Sequence, residues 1–177
     1  DNNPGAQLYE HSRAALYMNH PYRFPVIGWK SEIEKLTTEA AIAFYRRYYA
    51  PNNAILIIAG DVTADEIKPL AEEYYGPIPH RPVPPRVRVA EPKQRAARRV
   101  VLKSSRVRQP SWSRTYLAPS YTTASGAEAY ALQVLAEILG SNATSRLYRS
   151  LVINHGVATS VPAWYSADGL DSGEFGI

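Results

Sequence analysis

The 177-residue sequence contains no cysteine, so the chain can form neither disulfide bonds nor thiolate metal sites, and its redox compartment stays open. No apolar run approaches the roughly 18 residues that a membrane-spanning helix needs, so we predict no membrane span. The hydrophobic content of 45% with 20% charged residues is ordinary for a globular protein. The chain begins at Asp1 without a recognisable signal peptide, and we expect it to be a fragment of a longer protein.

The net charge of +4 averages two different parts of the chain. Residues 81–108 hold ten Lys or Arg and one acid, for +9, and the remainder holds ten bases and fifteen acids, for −5. This basic segment is rich in proline and lacks the aromatic residues on which bases stack, so we predict a solvated linker and no nucleic-acid partner. The alternatives are a docking surface for an acidic partner and a nucleic-acid contact, whose affinity would fall steeply with salt.

The stretch TTEAAIAFYRRYYAPNNAILIIAGDV, residues 37–62, predicts a helix, a turn and a strand, and Thr37 or Thr38 can cap the helix. One apolar stripe of the helix, with the spacing i, i+3, i+4 and i+7, predicts packing against a core: Ala41, Phe44, Tyr45 and Tyr48. Pro51 ends the helix, and Asn52 and Asn53 suit the turn because Asn tolerates left-handed backbone angles. The run Ala54–Ala59 shows no polar alternation, which predicts a strand that is covered on both faces.

Further elements follow from periodicity and from turn residues. Thr63, with Glu66 three residues later, predicts a capping box that opens a helix over residues 64–75. We also predict helices over 7–18, 31–36, 123–139 and 143–153, and strands over 98–103, 112–117 and 173–177. Six prolines between Pro77 and Pro92 cannot sustain a helix or an interior strand, and we place a domain boundary there.

Several of these segments resemble one known family. The first half of the chain contains His20-Pro21-Tyr22, Pro25-Val26-Ile27-Gly28 and the stretch 37–62. Together these segments resemble the pitrilysin/insulinase-type zinc peptidases. Two later segments resemble the opening of that family's second, non-catalytic domain: PSWSRTYLAPS (residues 110–120) and LGSNATSRLYRSLVINHG (residues 139–156). The resemblance implies an α+β fold with two related units, each a mostly antiparallel sheet with helices packed on it, and both incomplete in this chain. Residues 1–79 would end the catalytic-type domain, 80–96 would be a Pro/Arg-rich linker, and 97–177 would begin the inactive domain.

The catalytic device of that family is an HxxEH helix, in which two His bind zinc and the Glu activates the bound water. None of the four His fits this pattern, and no two share a helical face: His11, His20, His80 and His155. The resemblance therefore implies zinc in the parent protein and neither a catalytic nor a metal-binding residue in this chain. His20 and Tyr22 lie in a segment that resembles an ordered loop behind the catalytic site. We take them, with Asn52 and Asn53, as candidates that line the substrate chamber or support the site; simple loop packing and turn formation are the alternatives.

The resemblance also bears on partners. In the family, a segment similar to residues 151–159 contributes an Arg and a Tyr that stabilise the oxyanion. The matching positions here are Val152 and Thr159, so a second subunit or repeat would have to supply the pair. We therefore expect a part of a zinc endopeptidase that cleaves peptide substrates in an enclosed chamber, inactive alone. The alternative is a non-catalytic scaffolding homologue. Similarity to exported relatives favours a periplasmic location over a cytoplasmic one.

Overall fold

A computed structural model of the protein describes residues 3–177. The helices in this range are α1 (Pro4–Leu16), α2 (Lys30–Ile33), α3 (Thr38–Tyr48), α4 (Ala64–Tyr75) and α5 (Glu128–Gly140). Short 3₁₀ turns cover Pro21–Arg23 and Pro51–Asn53, and a π-helix covers Tyr148–Asn154. The strands are β1 (Thr115–Ala118), β2 (Trp164–Ser166) and β3 (Gly173–Gly176). Helices with a small antiparallel sheet agree with the predicted α+β class.

The chain divides into two compact units. The sheet unit comprises residues 3–26 and 89–177, and the helical unit comprises residues 27–88. This division follows from contacts within the chain and does not test the predicted boundaries at residues 79/80 and 96/97, which stay a prediction.

The sheet unit is built on three antiparallel strands in the order β1-β3-β2. Phe175 at the centre of β3 is opposite Tyr116 of β1 and Tyr165 of β2. Helix α5 packs against β2, and helix α1 contacts β1. The buried apolar residues of this unit are few: Tyr17, Ala129, Ala136, Ala167 and Phe175.

Helix α5 buries a different face from the one with its largest apolar residues. Ala129 and Ala136 are buried, whereas Tyr130 and Val134 are exposed. Small residues suit this face because the helix end approaches the chain very closely. A Cβ added to Gly140 would lie 2.2 Å from the backbone nitrogen of Ala163, so only glycine fits at the last position of α5.

Two predicted helix starts in the helical unit, those of α3 and α4, are confirmed, whereas the helix predicted over residues 31–36 begins at Lys30 without a side-chain cap. The Thr37 hydroxyl accepts a hydrogen bond from the Ala40 backbone N–H at 3.2 Å and caps α3. The predicted capping box opens α4, because the Thr63 hydroxyl accepts the Glu66 N–H and the Glu66 carboxylate accepts the Thr63 N–H. These caps depend on contacts only three residues apart, which is why the local sequence is sufficient to predict them.

The predicted buried strand over residues 54–59 is wrong for this structure. All of residues 27–88 are described, and none of them is in a strand. The side chains of residues 55, 56, 57 and 58 are 88%, 51%, 83% and 47% exposed, an alternation typical of extended chain. The apolar stripe of α3 is also exposed, with Phe44 and Tyr45 more than half accessible. A strand needs a hydrogen-bonded neighbour and a helix stripe needs a core, and residues 27–88 supply neither.

Two predicted elements in the sheet unit also differ. Residues 98–103 form no strand. The helix predicted over residues 143–153 is instead a π-helix over Tyr148–Asn154, in which the His155 N–H donates to the Ser150 carbonyl five residues back at 3.0 Å. Gly156 follows with φ of +61°, a left-handed angle that favours glycine and ends the segment.

Candidate functional site

His20 and Tyr22, two of the predicted site residues, lie together in the sheet unit. Their ring centroids are 4.2 Å apart, and the ring of Tyr17 lies within 6 Å of both. His20 is only 8% exposed. Its Nδ1 accepts the Tyr22 backbone N–H at 3.2 Å, so the neutral ring carries its proton on Nε2, which lies 3.8 Å from Asp171 Oδ2. We call Tyr17, His20 and Tyr22 the aromatic cluster.

A carboxylate and a guanidinium attach this cluster to the sheet. The Tyr17 hydroxyl donates to Glu174 Oε1 at 2.7 Å, and the Arg13 guanidinium pairs with the same oxygen. Arg13 also donates to the Tyr22 carbonyl at 3.0 Å. Burial, and then the hydrogen bond to Glu174, raise the pKa of the Tyr17 phenol well above its ordinary value, so Tyr17 stays a hydrogen-bond donor.

A second carboxylate holds the turn that follows α1. Glu91 accepts the backbone N–H groups of Met18 at 2.7 Å and of Asn19 and His20 at 2.9 Å. We call this arrangement the Glu91 clamp. Burial acts to raise the pKa of the Glu91 carboxyl, but the three amides and the charge of Arg98 outweigh it and hold the pKa below its ordinary value.

The segment predicted to be a solvated linker therefore makes ordered contacts. Gln94 and Arg98 donate to the carbonyl of Leu16, and Arg98 also donates to that of Ala15. These carbonyls end helix α1 and have no partner within the helix, so side chains that reach them act as a C-terminal cap. No sequence pattern indicates this role, because the partners are more than 70 residues apart.

Asn52 and Asn53, the other predicted site residues, lie in the helical unit and have structural partners. Asn52 makes two hydrogen bonds with the backbone of Arg81, donating to its carbonyl at 3.0 Å and accepting its N–H at 3.2 Å. Asn53 donates to the Tyr48 carbonyl at 2.8 Å at the end of α3. Both amides are engaged with backbone groups, which favours the turn-forming role. A role in positioning substrate stays a prediction.

Val152 and Thr159 carry neither a cation nor a phenol. Val152 is half-buried within the π-helix. Thr159 is exposed, and its hydroxyl accepts a hydrogen bond from the Gln109 amide at 3.1 Å. Neither side chain can stabilise a developing negative charge as Arg and Tyr do.

Residues 3–177 contain no group of three or more His, Asp or Glu side chains arranged to hold a metal ion. His155 is engaged with the Ser150 carbonyl at 2.7 Å, and His20 with the Tyr22 N–H. The described donors therefore do not fit a catalytic zinc site, which needs three protein ligands around one open position. In the same range, no helix has the length and apolar character to span a membrane.

A peptidase-family model matches most of this chain. Residues 35–177 match the model of the Peptidase M16 inactive domain. The chain belongs to this family.

Known relatives extend the comparison. The chain is 29% identical over 154 residues to the zinc protease PqqE of Helicobacter pylori, which covers 86% of this chain and 34% of that protein. It is 30% identical over 182 residues to an uncharacterized zinc protease of Mycobacterium tuberculosis, which covers 100% of this chain and 40% of the relative. The chain therefore spans less than half the length of these relatives.

Solved structures have the same fold. The crystal structure of a protease from Helicobacter pylori matches 99% of this chain and 42% of its own, with a TM-score of 0.76 and 26% identity. A peptidase M16 inactive domain from Pseudomonas fluorescens matches 98% of this chain and 41% of its own, with a TM-score of 0.69. At 19% identity, the second match supports the fold alone.

Proposed function

We propose that the parent protein is a zinc-dependent endopeptidase and that residues 1–177 are a part of it without catalytic residues. The observation that carries the proposal is the match of residues 35–177 to an inactive peptidase domain, together with relatives that are named zinc proteases. Zinc and the HxxEH helix would lie in the parent outside these residues.

The finer parts of the proposal concern the chamber and its partner. Peptide substrates would be cleaved in an enclosed chamber, and the two predicted units would each be completed by strands outside residues 1–177. Because Val152 and Thr159 cannot stabilise an oxyanion, a second subunit or repeat would supply the Arg and Tyr. A periplasmic location belongs to the same proposal, and cell fractionation tests it.

The test is peptide cleavage by the parent protein, measured alone and with each candidate partner subunit, before and after zinc is removed by a chelator. We expect cleavage that needs both zinc and a partner or later repeat. Full activity of a monomeric parent that lacks any such repeat would contradict the claim about Val152 and Thr159. Absence of both cleavage and zinc would favour the scaffolding alternative instead.

A further inference from the structure

Two arginines line an open groove at the end of helix α1, beside the aromatic cluster and the Glu91 clamp. The groove has a volume of about 330 Å³ and lies within the sheet unit. Its lining combines two guanidinium groups with mostly small or apolar side chains: Ala14, Ala15, Tyr17, Met18, Arg23 and Arg98.

Each guanidinium is held in place through one nitrogen. Arg98 donates through Nη1 to the carbonyls of Ala15 and Leu16, and Arg23 donates through Nη1 to the Met18 carbonyl at 2.8 Å. Anchoring of this kind fixes the direction of a long side chain before any ligand arrives, so less conformational entropy is lost on binding.

The opposite edge of each guanidinium has no described hydrogen-bond partner, and the Arg23 guanidinium also lies 5.9 Å from the centroid of the Phe24 ring. No hydrogen bond from Nε or Nη2 of either arginine is present in residues 3–177, and neither side chain has a carboxylate within 4.0 Å. Arg23 Nε is buried without an acceptor, so a ligand in the groove would meet this arginine at Nη2. Arg98 is exposed, and its paired N–H groups at Nε and Nη2 form the fork that binds a carboxylate through two parallel hydrogen bonds.

Glu91, whose carboxylate feels the charge of Arg98, does not neutralise this pair. Glu91 is close enough for the charge of Arg98 to lower its pKa, but both of its oxygens accept backbone amides in the Glu91 clamp. Arg13 is likewise occupied by Glu174. Two cations beside an apolar wall therefore lack an anion of their own within the described chain.

The geometry points to a carboxylate-binding site in this groove, in which Arg23 and Arg98 grip the carboxylate of a peptide and Ala14 and Met18 contact its apolar neighbour. The carboxylate can come from an acidic side chain or from a peptide C-terminus. The choice of peptides rests on the proposed function, whereas the site itself does not.

The test is calorimetric titration of the 177-residue chain with two acetylated alanine peptides, one with a central glutamate and an amidated C-terminus, the other with a free C-terminus and no acid. Their neutral counterparts carry glutamine or an amide. Binding of either acidic peptide but not of its counterpart supports the site and identifies the source of the carboxylate. If neither acidic peptide binds better than its counterpart, the proposal is overturned.

Lysine substitutions keep the charge and one donor for the backbone carbonyls but remove the remaining N–H donors of the guanidinium. We expect Arg23→Lys and Arg98→Lys each to weaken binding about tenfold, the effect of one charge-assisted hydrogen bond. Arg95→Lys and Arg99→Lys are matched controls, because both residues are exposed and have no described hydrogen bond. An equal loss in the controls would reveal general attraction to the basic segment and overturn the proposal. Circular dichroism verifies folding, and the zinc content of the parent reports separately on the proposed function.

Discussion

Replacing Glu91 by Gln tests whether the Glu91 clamp holds helix α1 onto the sheet unit. The carboxylate accepts one amide through Oε1 and two through Oε2. Gln has a single acceptor oxygen, so at least one backbone N–H must face its NH₂ group. A hydrogen bond to a charged group contributes about 1.5–3 kcal/mol. The substitution removes one such bond and weakens the other two, and solvent partly screens them. We therefore expect the free energy of unfolding to fall by about 2 kcal/mol.

Urea unfolding followed by circular dichroism measures this loss, which corresponds to a fall in melting temperature of about 4–8 °C for a chain of this size. Glu137→Gln is the matched control, because Glu137 is an exposed residue of α5 whose side chain has no described partner. If the unfolding free energy of Glu91→Gln equals that of the control, the clamp does not stabilise the fold, and the reasoning is refuted.

The difference in unfolding free energy between the wild type and Glu91→Gln should depend on pH. The folded pKa of Glu91 lies below the unfolded value of about 4.3. The contribution of the carboxylate is therefore fully present above the unfolded pKa and is lost as the pH falls through the folded pKa. The difference between the wild type and Glu91→Gln should be constant from about pH 6 to 8 and should shrink below about pH 4. A difference that grows in acid would contradict the assignment.

Two further substitutions test side-chain packing, one within the sheet unit and one within the helical unit. Gly140→Ala should destabilise the sheet unit by about 1–3 kcal/mol, because the new methyl group meets the Ala163 backbone nitrogen. Gly126→Ala is the control. No atom lies within 4 Å of its new methyl group, so it should cost only the strain of a positive φ. Comparable unfolding curves for the two variants would argue against close packing at Gly140. Ile57→Ser should change the stability of the 177-residue chain by less than about 0.5 kcal/mol, since Ile57 is 83% exposed. If strands of the parent cover Ile57, the same change there should cost about 2 kcal/mol or more, and equal effects in both proteins would refute that coverage.

Local features of the fold could be predicted from the sequence, and features that need distant partners could not. The caps at Thr37 and Thr63 depend on contacts three residues away, and both were predictable. The apolar run over residues 54–59 predicts a buried strand, but a strand forms only beside neighbouring strands, and residues 27–88 contain none. Hydrophobic periodicity cannot reveal whether such neighbours are present.

The candidate site divides in the same way. The sequence indicates that His20 and Tyr22 belong to an ordered loop, and the structure places them in the aromatic cluster. The sequence places Glu91 in a predicted solvated linker. A single acid among basic residues does not indicate that its carboxylate binds three backbone amides more than 70 residues away. The side chains of Gln94 and Arg98 were missed for the same reason.

The most direct test of the claim that the parent is a zinc peptidase is its zinc content. Elemental analysis measures zinc in the parent protein and in the isolated 177-residue chain. The account predicts about one zinc per parent chain and none on residues 1–177, because a three-ligand catalytic site would lie outside them. A parent that binds no zinc would contradict the peptidase proposal and leave the scaffolding role.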